Sequence, residues 1–127
     1  MLLSTDVSRR GGVTVLTVTG EVDAYTVAAL APVLEQLPFG ADLVLVIDLR
    51  PVTFLDSSGL SAIVATRRRV SETGGELRIV CDGLTRRLFE LTSMDQVLNL
   101  YVTLEGAIDS SVPAATGDDP DPMVGSR

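Results

Sequence analysis

Histidine, lysine and tryptophan are missing from this 127-residue chain, and cysteine occurs once. Without imidazole there is no serine-histidine catalytic pair, no histidine metal ligand and no ordinary side-chain switch near neutral pH. A lone cysteine, Cys81, excludes an intramolecular disulfide and a cysteine-rich zinc site, and its apolar neighbours mark it as a buried, inert thiol. Aromatics are only 4%, so the core must be built from Val, Leu, Ile and Ala. No apolar run approaches the ~18 residues of a membrane span. The opening Met1 to Asp6 lacks the charged and apolar regions of a secretion signal, so a cytoplasmic location and no membrane partner are expected.

The ten basic residues are all arginine and face seventeen acids, for a net charge of −7. That balance repels phosphate backbones and argues against a nucleic-acid partner. The only basic cluster, Arg67-Arg68-Arg69, reads as a solvated helix face. Hydrophobic content of 46% with 21% charge is globular, and the length suits one domain around one core.

The pattern along the chain alternates strands and helices. Leu3 to Val7 alternates apolar with polar, and Val13 to Thr19, after the Gly11-Gly12 turn, is β-branched, which predicts a hairpin. Val27, Leu30, Ala31, Leu34 and Leu37 share a helical face, with Asp23 placed to cap it and Pro32 predicting a kink or a later start. Leu43 to Ile47 is a continuous apolar run, as a central strand covered on both faces requires. Pro51 to Leu55 leads into Asp56-Ser57-Ser58-Gly59, where strand turns into helix, and Leu60, Ile63, Val64 and then Ser71 or Val70 continue at helical intervals to Gly74-Gly75. Leu77, Ile79 and Cys81 alternate as a further strand, with Arg78 and Val80 on its other side. A short helix near Thr85 to Leu91, a strand within Val97 to Tyr101, and a final helix capped by Thr103 follow. Residues 1–112 form the expected domain and carry a net charge of −5 of their own; 113–127, rich in Pro, Gly, Ala and Asp, is expected to be a disordered acidic tail. The reading is a single α/β domain, a mixed sheet of four to five strands with about four helices.

The first turn of a helix offers unpaired amides and roughly half a positive charge, so a serine there caps well and tolerates an added phosphate. Asp and Ser are also ordinary caps, so the tetrapeptide by itself leaves both readings open. The wider arrangement resembles the STAS family, the domain shared by sulfate transporters and bacterial anti-sigma-factor antagonists. The resemblance spans residues 5–110 and includes Gly20-Glu21-Val22-Asp23, Val46-Ile47-Asp48-Leu49, Phe54-Leu55-Asp56-Ser57-Ser58-Gly59-Leu60, Gly75-Glu76-Leu77-Arg78-Ile79-Val80, Leu91-Thr92-Ser93-Met94-Asp95 and Thr103-Leu104-Glu105.

That resemblance implies the STAS fold and a phosphorylation site at Ser58, with Ser57 as a cap or turn residue. It implies partner switching. The unphosphorylated protein binds an anti-sigma factor that is also a serine kinase and frees a sigma factor; the kinase, using ATP and magnesium, phosphorylates Ser58; a PP2C-type phosphatase resets the protein. The implied partner surface comprises Asp23, Asp56, Ser57, Ser58 and Gly59, with Tyr25, Thr26 and Ser61 beside them. No cofactor of the protein's own and no catalytic residue are implied. An enzyme using Ser58 as nucleophile would lack both His and Lys as base. A non-phosphorylated STAS module of a lipid transporter or larger signalling complex is the alternative. Nucleotide binding finds no Gly-rich phosphate loop to support it.

Overall fold

The structure, a computed structural model, describes residues 2–109, so the expected tail at 113–127 and the boundary at 112 lie outside the described residues. Strands β1 (Leu3–Arg10) and β2 (Val13–Val22) form the predicted hairpin. Its turn uses Gly11 and Gly12 at φ of 60° and 83°, two successive left-handed positions that suit the twist of the flanking strands. The order continues α1 (Val27–Glu35), β3 (Val44–Asp48), β4 (Val52–Leu55), α2 (Ser57–Glu72), β5 (Glu76–Val80), α3 (Gly83–Leu91), β6 (Leu100–Tyr101) and α4 (Leu104–Ile108).

The sheet runs β1-β2-β3-β5-β6. Only the first pair is antiparallel, so the sheet is mixed, as predicted. Among the described residues it has six strands, one more than the upper end of the four to five expected. The extra one is β4, which in sequence looks like a continuation toward the helix. Past Asp48 the chain turns at Arg50-Pro51 and then pairs with the far end of β2, Gly20 against Val52 and Val22 against Leu55. A four-residue strand carries too little periodicity to stand apart from its neighbour.

Strand alternation divides the core into two layers. Leu16, Leu45, Ile47, Leu77, Ile79 and Leu100 face α1, α2 and α3, which contribute Leu30, Ile63, Val70 and Phe89. Val13, Val15, Val46, Val80 and Tyr101 face the other way and are covered by Leu104 and Ala107 of α4. β3 therefore lies mid-sheet with both faces covered, as its unbroken apolar run requires.

Helix α1 starts at Val27, the later start that Pro32 allowed, and its N-cap is Thr26 rather than the expected Asp23: the Asp23 carboxylate accepts the amides of Tyr25 and Thr26, both at 2.9 Å, and holds a turn ahead of the helix. Pro32 lies within the helix on its exposed side, where water can serve the carbonyl left without a donor. Arg78, the polar side of β5 in sequence, is buried: its guanidinium donates to the Ala107 carbonyl at 2.7 Å and pairs with Glu76 at 2.9 Å. It thereby satisfies the C-terminal end of α4. Among the described residues no helix is long and apolar enough to cross a membrane.

Candidate functional site

β2 and β4 run parallel and end together, with the Asp56 amide donating to the Val22 carbonyl at 3.1 Å. The residues following each strand, Asp23 and Asp56, are thus brought to the same sheet end although 33 positions separate them in sequence. This is the carboxyl end of parallel strands, where open α/β sheets ordinarily present their ligand sites.

Asp56 has extended backbone and accepts the Ser58 amide on Oδ1 at 2.9 Å, which makes it the N-cap of the 16-residue α2. Ser57 is therefore not the cap, contrary to one of the roles expected for it; it is the first helical residue and Ser58 the second. Ser57 is exposed and Ser58 partly so, and neither hydroxyl is sealed in the core. Both lie in the turn whose backbone amides lack helical partners.

Gly59 is buried, and the space explains the residue: a Cβ there would come within 2.7 Å of Val22 Cγ1 and nearer still to Leu55 Cδ1. The missing side chain lets α2 start directly against the ends of β2 and β4. Its part in the site is that close approach.

The turn before α1 is equally well tied. The Thr26 hydroxyl donates to the Glu21 carbonyl at 2.7 Å and accepts the Asp23 amide at 3.0 Å. The Thr26 amide, against some cost of desolvation and with help from the Tyr25 amide, holds the Asp23 carboxyl below its ordinary range. Thr26 is thus engaged in the turn itself, while the Tyr25 ring is 92% exposed beside it. Ser61 is exposed one turn along α2 from Ser57. Asp23, Tyr25, Thr26, Asp56, Ser57, Ser58 and Gly59 accordingly gather at one end of the sheet, with Ser61 on the adjoining helix face.

Sequence reasoning missed the apolar side chains next to this end, Phe54, Leu84 and Leu91, which are left exposed. A signal was present, since Leu84, Leu88 and Leu91 recur at helical spacing beside the core pair Thr85 and Phe89. Cys81 is buried, and burial pushes its thiol up to about 12. Arg68 and Arg69 are exposed as expected and Arg67 only partly so, with the Arg69 guanidinium 4.3 Å from the centre of the Phe39 ring. Among the described residues no cluster of carboxylates and cysteine is arranged to hold a metal ion.

The STAS domain family matches residues 4–107, nearly the whole described chain. The chain belongs to the STAS family. This STAS domain is 32% identical over 106 residues to the anti-sigma-F factor antagonist RsfB of Mycobacterium tuberculosis, covering 84% of this chain and 87% of that one. It is 30% identical over 115 residues to the anti-sigma-B factor antagonist of Bacillus subtilis, covering 85% of this chain and 99% of the other. Among solved structures, an anti-sigma factor antagonist from Mycobacterium paratuberculosis superposes with a TM-score of 0.74 at 35% identity, over 87% of this STAS domain and 93% of that chain.

Proposed function

We propose that this STAS domain is an anti-sigma-factor antagonist of the bacterial cytoplasm, active when Ser58 carries a free hydroxyl and switched off by its phosphorylation. The observation that carries the reading is Ser58 itself, partly exposed in the first turn of α2 and tied through its amide to the Asp56 carboxylate. The names of relatives that it matches over most of their length supply the general role. The unmodified turn docks on an anti-sigma factor that is also a serine kinase, which releases the sigma factor. The kinase, with ATP and magnesium, then transfers a phosphoryl group to Ser58, and a PP2C-type phosphatase removes it.

The physics of release is local. A phosphate adds about −1.5 to −2 charge beside Asp56 and across the sheet end from Asp23, on a chain whose net charge is already −7. A partner surface fitted to a neutral hydroxyl then meets a bulky anion. A loss of about 100-fold in affinity requires only about 2.7 kcal/mol, within what one unpaired interfacial charge costs. The unpaired amides and dipole of α2 offset part of the new charge, so the fold itself persists.

The test is incubation with candidate anti-sigma kinases and ATP, site mapping by mass spectrometry, and binding of wild type, Ser58→Ala and Ser58→Glu. Phosphate should map to Ser58, the alanine variant should bind without regulation, and the glutamate variant should bind poorly. Phosphate on another residue, or a phosphorylated complex that survives intact, would overturn the proposal.

A further inference from the structure

Helix α3 is apolar on two sides. Phe89 lies in the core, while Leu84, Leu88 and Leu91 line a second stripe with the buried Thr85 between them. Together with Phe54 and Leu55 of β4 this stripe walls a groove of about 270 Å³, and Arg87 lies at its edge. Its walls are wet: Leu84 is 83% exposed, Leu91 70% and Phe54 50%. Single exposed leucines are ordinary, but three large apolar side chains converging on one groove form a contiguous patch of the kind that marks interaction sites.

The groove adjoins the serine turn. Leu55 is a wall shared by both, since it borders the groove and its Cδ1 fills the space against Gly59, one residue after Ser58. Phe54 precedes Ser58 by four positions, at most about 14 Å of extended chain. A standard protein interface covers about 800 Å² on each partner, a footprint roughly 30 Å across. A partner centred on Ser58 therefore reaches the Phe54 wall of the groove. The edge is basic on an acidic protein: Arg86 pairs with Glu90 at 3.4 Å, whereas Arg87 is exposed and forms no ion pair with another described residue.

We propose that the α3–β4 groove is the anchoring half of the surface that binds the anti-sigma factor, taking an apolar ridge of that partner flanked by a carboxylate for Arg87. The proposal rests on the function above and divides its surface into two parts. The groove supplies affinity through burial of Phe54, Leu84 and Leu91, and the serine turn supplies regulation. Phosphorylation changes charge at the turn and leaves the groove intact, so the modified protein keeps its anchor and retains weak binding.

The experiment measures binding of the cognate anti-sigma factor to the full chain by titration calorimetry, for wild type, Leu84→Ser, Leu91→Ser, Ser58→Glu and each leucine change combined with Ser58→Glu. Both leucines are exposed, so melting temperatures should match wild type and folding is not at issue. Each leucine buried in the complex should, on change to serine, weaken binding by about tenfold or more. Because groove and turn act separately, the losses should multiply with that of Ser58→Glu. Affinities within twofold of wild type in both leucine variants would overturn the groove and leave the Ser58 reading standing. Normal binding by Ser58→Glu alongside weak binding by the leucine variants would do the reverse. A wild-type dimer that Leu84→Ser dissociates, with unchanged affinity for the anti-sigma factor, would assign the groove to a second copy and refute the proposal.

Discussion

Replacing Asp56 separates its structural work from its charge. Its Oδ1 accepts the Ser58 amide at 2.9 Å, so in Asp56→Ala one of the leading amides of α2 loses its partner. Loss of such a cap costs about 1 kcal/mol, with a range of roughly 0.5–2. Loss of a negative charge at a helix N-terminus adds about 0.3–1 kcal/mol. A change of 1 kcal/mol moves the melting temperature by about 4–8 °C for a domain of 60–100 residues and about 2–4 °C for one of 150–250, so by roughly 3–6 °C at this size. Asp56→Ala should therefore melt roughly 5–10 °C below wild type. Asp56→Asn keeps an acceptor of nearly equal capping strength and should lie within a few degrees of wild type. Thermal melts followed by circular dichroism, together with urea midpoints at constant slope, read both variants. An alanine variant that melts with wild type would refute the capping argument. An asparagine variant as unstable as alanine would show that charge, not the hydrogen bond, sustains the turn.

Three further outcomes follow from the same geometry. Gly59→Ala gains about 1 kcal/mol of helix propensity but meets the stiff Val22 side chain at 2.7 Å; overpacking of about 1–3 kcal/mol should leave it less stable by urea midpoint, and a stabilised variant would refute the close approach. The folded Asp23 carboxyl titrates below its ordinary value of 3.8, so its contribution is fully present above the unfolded value and is lost as pH falls through the lower folded one. Stability measured across the acid limb should accordingly fall less steeply in Asp23→Asn than in wild type, and identical profiles would contradict the hydrogen-bonded turn. Cys81, buried with its thiol pushed up to about 12, should resist Ellman's reagent at pH 8 in the native protein and react fully in urea; reaction at the rate of a free thiol in the native state would show that the site opens.

Much of the architecture is written in local pattern. The hairpin is legible in Gly11-Gly12 between alternating segments, and the central place of β3 in an apolar run too long for a half-exposed strand. Thr103 is readable as a cap because its hydroxyl has a partner three residues on, the Gly106 amide at 3.0 Å. What escaped the sequence depends on neighbours distant in the chain. The buried Arg78 answers to a carbonyl 29 residues later, and β4, legible as strand leading into the helix, finds its separate place in the sheet only by pairing with the end of β2. The exposed leucines of α3 follow the same rule: helical spacing alone does not say which of two apolar stripes the core receives.

Composition alone determined the broadest limits here. A chain with no His and one cysteine offers no serine-histidine pair, no histidine metal ligand and no intramolecular disulfide. The order of its short motifs placed it with the STAS family. The tertiary structure decided which side chains meet. Parallel pairing of Val22 with Leu55 sets Asp23 beside Asp56, and the close approach at Gly59 seats Ser58 in the first turn of a helix against that sheet end. Local sequence encodes backbone preference and periodicity, but juxtaposition across tens of residues arises only when the strands pair and the core closes.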